Sequence, residues 1–238
     1  MEPPPPSHDG RGGMRYAQAS AAGLTSVNDD VAFPRFTSRG RTYVYVLPCR
    51  DEDILKVGFS RDPVDRFRTL HPRFFEFFDL DRGLLIHTDR LRDARRIERL
   101  FITTFADFRA PAPLVVPRSA AGHTEWYRGA WLPVSVLAHE LCVQEGLTLH
   151  APLRDWVRAQ FDEWSDLLFG WSSRMLEMIE YQHFNIPLDQ RNGRVEKVLR
   201  DVLDAYVALG NDLQALVPEP VLDWYYRCGF PEVSRWDD

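Results

Sequence analysis

The chain has 238 residues, of which 45% are hydrophobic, 13% aromatic and 27% charged, and its formal net charge is −6. This composition is that of a packed globular protein with one large domain or two small ones, and it excludes a largely disordered chain. No apolar run approaches the roughly 18–20 residues of a transmembrane helix, and the acidic, proline-rich start lacks a signal-peptide pattern, so we expect a cytoplasmic protein without a membrane partner.

Composition and charge divide the chain into three segments. Residues 1–32 contain PPPP and GRGG and too few apolar residues for a core, which predicts a disordered Pro/Gly-rich tail. Residues 36–128 carry 17 Lys and Arg against 13 Asp and Glu, whereas residues 129–238 carry 9 against 18. We therefore expect a mildly basic module at 33–130, an acidic domain at 131–238, and an electrostatic attraction between them.

The basic module begins with a strand pattern. Arg41–Leu47 and Ile54–Phe59 are rich in β-branched and aromatic residues, and they predict a hairpin around an acidic turn. Asp62 is a favourable N-cap residue and Pro63 suits the first helical position, so a helix is expected from there to Pro72.

A further strand and a long helix complete the module. Phe74–Phe78 and Gly83–His87 suggest the strand, and an apolar stripe predicts a long helix that is capped by Thr88 or Asp89. Gly122–Arg128 then follows a proline-rich loop. The pattern predicts a small α/β module with a short antiparallel sheet and flanking helices.

Strand patterns disappear beyond Pro133. Helical periodicity covers residues 134–144, 152–184, 193–209 and 220–228, with a possible break at Gly170. The acidic segment therefore predicts an all-helical bundle of four or five helices, and the whole chain an α+β protein. We expect this segment to bind a protein partner or to self-associate.

Five short motifs follow one another in the basic module. They are Tyr43-Val44-Tyr45 and Lys56-Val57-Gly58 on the two strands, Asp62-Pro63-x-x-Arg66 at the first helix, Glu98 in the long helix, and Glu125-Trp126-Tyr127. In this order they resemble the GIY-YIG nuclease superfamily, and most closely the divergent branch named after the phage T5 reading frame orf172, in which lysine replaces the tyrosine of the second motif. The resemblance covers about residues 41–128.

The resemblance implies a divalent-metal-dependent endonuclease that hydrolyses nucleic-acid phosphodiesters, with DNA as the favoured substrate. Mg²⁺ or Mn²⁺ is the implied cofactor, and Glu98 is its implied ligand. Arg66 would stabilise negative charge on the phosphate, and Tyr45 or a water molecule would act as the base. Lys56 would orient the phosphate or lower the pKa of a neighbouring phenol. The candidate substrate-binding residues are Tyr43, Gly58, Ser60 and His71.

Glu98 is also singled out by its place on the long helix. Ile97 and Phe101 flank it on the apolar stripe, where a carboxylate is expensive to bury unless a cation or a hydrogen-bond donor meets it. The alternative to a metal ion is an ion pair with one of three arginines, Arg66, Arg95 or Arg99.

Two departures from the family pattern leave other functions open. The second motif lacks its tyrosine, and no asparagine occurs from Asp29 to Phe184, so the late asparagine of many catalytic members has no counterpart. One alternative is a catalytically inactive nucleic-acid-binding module. Another is a protein-interaction or effector protein that acts through its C-terminal helical domain. For Lys56, the alternative to a role in the site is that of an ordinary strand residue whose side chain is exposed to solvent.

Overall fold

The structure is a computed structural model that describes residues 40–122 and 125–227. It confirms the predicted α+β class, with an antiparallel sheet in the N-terminal part and mainly helices after it. The tail predicted for residues 1–32 lies outside the described residues.

The sheet has five antiparallel strands in the order β4-β2-β1-β3-β5. The strands are β1 Thr42–Pro48, β2 Ile54–Ser60, β3 Leu84–Thr88, β4 Trp126–Arg128 and β5 Leu149–His150. The predicted hairpin is confirmed, with Tyr45 opposite Gly58 and Leu47 opposite Lys56. Because side chains alternate across a strand and paired residues share a face, the side chains of these residues lie on one face of the sheet.

The central strand β1 is buried on both faces. Tyr43 and Tyr45 belong to one apolar cluster, and Val44 and Val46 belong to another on the opposite face. A strand covered on both sides has few polar residues, which is why this segment forms a continuous apolar run in the sequence.

Among the residues that the structure describes, four α-helices precede β4. They are α1 Pro63–Leu70, α2 Phe74–Phe77, α3 Leu91–Thr104 and α4 Arg118–Ala121. Asp62 caps α1 as predicted, since its Oδ1 accepts a hydrogen bond from the Asp65 N–H at 3.2 Å. The strand suggested for Phe74–Phe78 is wrong. Phe74 and Phe75 are neighbours in the chain and are both buried in one cluster, which a helical turn allows and an alternating strand does not.

Five α-helices follow β4 within residues up to 227, which agrees with the predicted periodicity. They are α5 Trp131–Glu145, α6 Leu153–Asp162, α7 Ser165–Asn185, α8 Arg194–Ala208 and α9 Glu219–Tyr226. The helical segment predicted for residues 152–184 is interrupted after α6 and not at Gly170, which lies within α7. A glycine costs about 1 kcal/mol in a helix, and the burial of Leu168 and Trp171 on either side of it outweighs that cost. The strand β5 was not predicted, because two residues are too few to form a pattern.

Helices α6 to α9 of the acidic segment pack in the same cluster as Tyr43 and Tyr45, whereas α5 packs on the opposite face of the sheet, with Val44 and Val46. The Tyr43 ring lies 5.2 Å from the ring of Trp156 in α6. Arg73 Nη1 lies 2.6 Å from the Asp201 carboxylate and 2.8 Å from that of Asp204, both in α8. Apolar packing and ion pairs therefore join the basic and acidic segments, and the domain boundary near residue 130 stays a prediction. Within the described ranges, no helix has the length and hydropathy needed to cross a membrane.

Candidate active site

The hydroxyl group of Tyr45 lies where the β1–β2 hairpin meets α1. Tyr45 is 1% exposed, and its ring packs edge-on against Phe67 with centroids 5.4 Å apart. Gly58 leaves the space for this ring, because a Cβ atom there would lie 2.4 Å from the Tyr45 hydroxyl oxygen. The hydroxyl accepts a hydrogen bond from Arg66 Nε at 3.3 Å. The hairpin and α1 thus bring together Tyr45, Gly58 and Arg66.

Arg66 is held at three points. Besides the bond from Nε to Tyr45, its Nη2 donates to the Ala120 carbonyl oxygen at 2.9 Å, and its Nη1 donates to Thr69 Oγ1 at 3.4 Å. The Asp62 cap fixes the residue at which α1 begins, and it therefore fixes the position on the helix from which the Arg66 side chain extends. The guanidinium group is therefore positioned by α1, β1 and α4 together, which reduces its rotational freedom.

Lys56 is fully buried and forms an ion pair with Glu125. Its Nζ lies 2.9 Å from Glu125 Oε2 and 5.1 Å from the centre of the Trp126 ring. Burial lowers the pKa of Lys56, while the hydrogen bond and the charge of Glu125 act in the opposite direction. The interpretation of Lys56 as a solvated strand residue is therefore wrong. No part of the Lys56 side chain is exposed, so Glu125 is the member of this ion pair that solvent reaches.

The carboxylate of Glu98 lacks a partner in the described part of the chain. Glu98 lies on α3 and is half-buried, and no hydrogen bond or ion pair to its side chain occurs in residues 40–122 and 125–227. The alternative of an ion pair with Arg66, Arg95 or Arg99 is therefore not observed. Burial raises the pKa of Glu98 to about 7, and the nearby Glu125 adds to this effect. A positive charge close to the carboxylate would lower the pKa of Glu98 again.

Five side chains influence one another electrostatically and form what we call the Glu98 cluster: Tyr45, Lys56, Arg66, Glu98 and Glu125. Lys56 and Arg66 both lower the pKa of Glu98, against the effects of burial and Glu125. Burial raises the pKa of Tyr45 to about 12, Arg66 lowers it, and Glu125 and Glu98 raise it. The four residues predicted to be catalytic are thus brought together from β1, β2, α1 and α3.

The raised pKa of Tyr45 bears on its predicted role as a base. At neutral pH its hydroxyl group is protonated, so Tyr45 is a poor proton acceptor in the free protein. The geometry suits a different task, because the hydroxyl oxygen is the acceptor for Arg66 Nε and can orient the guanidinium group.

Three other predicted residues have their contacts elsewhere. Tyr43 packs against Trp156, at a ring distance of 5.2 Å. Ser60 and Asp62 form a local turn, in which Ser60 Oγ donates to the Asp62 carbonyl at 2.8 Å. His71 stacks on Phe77 with centroids 4.6 Å apart. Substrate binding by Tyr43, Ser60 and His71 stays a prediction that none of these contacts supports.

Glu125 was not among the predicted site residues. The sequence contains a signal for it, since Glu125 opens the Glu-Trp-Tyr motif that matched the family branch. Its carboxylate has a role here because Lys56 is fully buried and needs a counter-charge. Only the fold shows that burial.

Comparison with known protein families bears on the N-terminal part of the chain. Residues 42–144 match the T5orf172 domain. This domain is associated with GIY-YIG-like and phage endonuclease-type proteins, so the match supports the general resemblance for these residues and does not bear on the individual motifs. No curated protein and no solved structure gives a significant match. The T5orf172-like region runs from β1 into α5 and contains every residue of the Glu98 cluster.

Replacing Gly58 of the T5orf172-like region with alanine should displace the Tyr45 hydroxyl. A Cβ atom 2.4 Å from that oxygen forces a shift, and the buried Tyr45 ring cannot swing away. We expect Gly58→Ala to lower the free energy of unfolding by about 2 kcal/mol, measured by chemical denaturation.

Gly170→Ala is the matched control. The new Cβ atom would meet only Arg174 Nη1 at 3.9 Å, so this variant should be as stable as the wild type or more stable. A Gly58→Ala variant with wild-type stability would show that the hairpin does not constrain Tyr45 as described.

Proposed function

We propose that this protein is an endonuclease that hydrolyses nucleic-acid phosphodiester bonds with the help of Mg²⁺ or Mn²⁺, and that DNA is its favoured substrate. The observation that carries the proposal is the Glu98 cluster, in which a half-buried carboxylate without a partner in the described chain lies near two cationic side chains. The match to the T5orf172 domain supports a nuclease-like or nucleic-acid-related module.

The residues of the Glu98 cluster fit a divalent cation. Glu98 offers both carboxylate oxygens, and Glu125 offers Oε1, since its Oε2 binds Lys56. No group of three or more His, Cys, Asp and Glu residues that could hold a metal ion occurs in the described ranges. Mg²⁺ typically binds through one or two carboxylates together with water and substrate phosphate, so this small ligand set suits it. When bound, the cation would supply Lewis-acid stabilisation of charge on the phosphate.

The other side chains of the cluster have separate tasks in this proposal. Arg66 stabilises the negative charge that develops on the phosphate oxygens, and its contacts with Tyr45 and Ala120 hold the guanidinium group ready. Lys56 holds Glu125 in place through the ion pair. Tyr45, with its pKa of about 12, orients Arg66 and is not required to accept a proton.

Removal of the divalent cation tests the proposal. We expect the full-length protein to nick or linearise supercoiled plasmid DNA in the presence of Mg²⁺ or Mn²⁺ and to lose this activity in EDTA. Labelled single-stranded RNA, assayed in parallel, determines whether DNA is in fact the favoured substrate.

Two outcomes would favour the other candidate functions. Binding of DNA without cleavage, with either metal, would identify an inactive nucleic-acid-binding module. Absence of binding even at low ionic strength would leave a protein-interaction or effector function of residues 131–238. A protein partner or self-association through these residues, and the cytoplasmic location, stay predictions.

A further inference from the structure

The solvent-facing side of α3 carries a row of arginines. Ala94, Ile97 and Phe101 face the core, and Arg92, Arg95 and Arg99 are exposed on the other side of the helix. The arginines, together with Leu91 and Arg96, line a shallow depression of about 460 Å³. We call Arg92, Arg95 and Arg99 the arginine row.

Most of the positive charge in the arginine row is not neutralised by other described residues. Arg96, beside the row, forms an ion pair with Glu145 of α5. Arg92 makes only a distant contact with Asp93, at 3.7 Å. The side chains of Arg95 and Arg99 have no hydrogen bond or ion pair within residues 40–122 and 125–227. Such a row is a favourable surface for an anionic ligand.

The spacing of the arginine row suits a chain of phosphates. From Arg92 to Arg99 the helix rises about 10 Å, which is the axial length of about three nucleotides of one DNA strand. Guanidinium groups bind phosphate oxygens with two parallel hydrogen bonds, which favours arginine for this task.

The arginine row also leads to the Glu98 cluster. Arg95 lies one helical turn before Glu98, and its charge reaches the Glu98 carboxylate. Arg95 and Glu98 are neighbours on the helix surface, because residues three apart on a helix lie close together. A nucleic-acid strand that binds along the row therefore passes beside Glu98, on the half-buried side of α3.

We propose that the arginine row binds the phosphate backbone of a nucleic-acid strand and directs that strand to the Glu98 cluster; this rests on the function proposed above. Such contacts are independent of base sequence, so they supply affinity and position and leave base specificity to other residues.

The proposal is tested by measuring the affinity of the full-length protein for a fluorescein-labelled DNA duplex by fluorescence anisotropy in EDTA. The test variant is Arg95→Gln/Arg99→Gln. The control is Arg158→Gln/Arg174→Gln, which removes the same charge from two exposed arginines of α6 and α7. We expect the test variant to bind about tenfold more weakly at about 50 mM salt, and the slope of log K against log salt to decrease in magnitude by about 1.8. The control should stay within about twofold of the wild type.

The remaining outcomes separate this proposal from the proposed function. Equal affinities of the two double variants would overturn the arginine row as a backbone-binding surface. Cleavage of plasmid DNA by the wild type in Mg²⁺, assayed separately, would then leave the nuclease function standing. Loss of affinity for polyglutamate but not for DNA would assign the row to an acidic protein and overturn the proposal. A wild type that neither binds nor cleaves DNA would overturn both.

Discussion

The variant Glu98→Gln is expected to lose at least about 100-fold in the rate of DNA cleavage while it still folds and binds DNA. Glutamine has nearly the same volume and keeps one oxygen, but it carries no charge with which to hold a divalent cation. The carboxylate makes no hydrogen bond or ion pair with other described residues, so its replacement removes no contact of the fold. The measurement is the initial rate of plasmid nicking at a fixed concentration of Mg²⁺, together with the DNA affinity in EDTA.

Glu177→Gln provides the matched control for this loss. Glu177 is exposed on α7, and its replacement makes the same chemical change of a carboxylate to an amide without altering the Glu98 cluster. We expect this variant to cleave at the wild-type rate. Cleavage by Glu98→Gln at the wild-type rate would remove Glu98 from the site and, with it, the proposed ligand of the metal ion.

The variant Glu125→Gln is expected to lower the free energy of unfolding by about 3 kcal/mol, because it removes the carboxylate that forms an ion pair with a buried lysine. Lys56 is fully buried, whereas the Glu125 side chain is 25% exposed. The desolvation of the ammonium group is then no longer offset by an ion pair at 2.9 Å. For a chain of this size the melting temperature should fall by about 6–12 °C.

The pH dependence of this variant follows from the direction of the Lys56 pKa. Burial lowers that pKa below the value of an unfolded chain, and loss of Glu125 lowers it further. Between the folded and unfolded pKa values the unfolded state binds more protons, so stability rises with pH. The difference in the free energy of unfolding between the wild type and Glu125→Gln should therefore decrease as the pH is raised from neutral toward the pKa of lysine in the unfolded chain.

Lys56→Met and the double variant Lys56→Met/Glu125→Gln complete the cycle. Methionine has a similar length and no charge, and the carboxylate of Glu125 that remains can contact water. Lys56→Met should therefore cost about 1 kcal/mol, and the double variant should be more stable than Glu125→Gln alone. Equal losses of stability in Glu125→Gln and Lys56→Met would contradict an effect of the difference in burial between Lys56 and Glu125.

Local signals in the sequence determined the elements that carry the site. The β-branched and aromatic runs around an acidic turn are sufficient to predict the β1–β2 hairpin, because strand preference depends on side chains close in the chain. Asp62 and Pro63 likewise determine where α1 begins, and hence the position of Arg66. The apolar stripe predicted the long helix and a carboxylate on its buried face, and the structure has Glu98 half-buried there.

Short or context-dependent elements were beyond the reach of such signals. Phe74–Phe77 has the composition of a strand, and it forms a helical turn because the core accepts two adjacent phenylalanines on the same side. The two residues of β5 take strand geometry only because the edge of β3 is available to pair with them. In both cases contacts between distant parts of the chain override local preference.

The sequence by itself predicted which residues of this protein would carry the proposed chemistry, and the tertiary structure decided what surrounds each of them. Tyr45, Arg66 and Glu98 were identified from motif order, yet only the fold shows that the Tyr45 hydroxyl meets Arg66 Nε and that Glu98 has no partner in the described chain. The fold also pairs Lys56 with Glu125, which lies 69 positions later in the chain. Burial and charge pairing depend on which segments pack together, and these are the quantities that set pKa and hydrogen bonding.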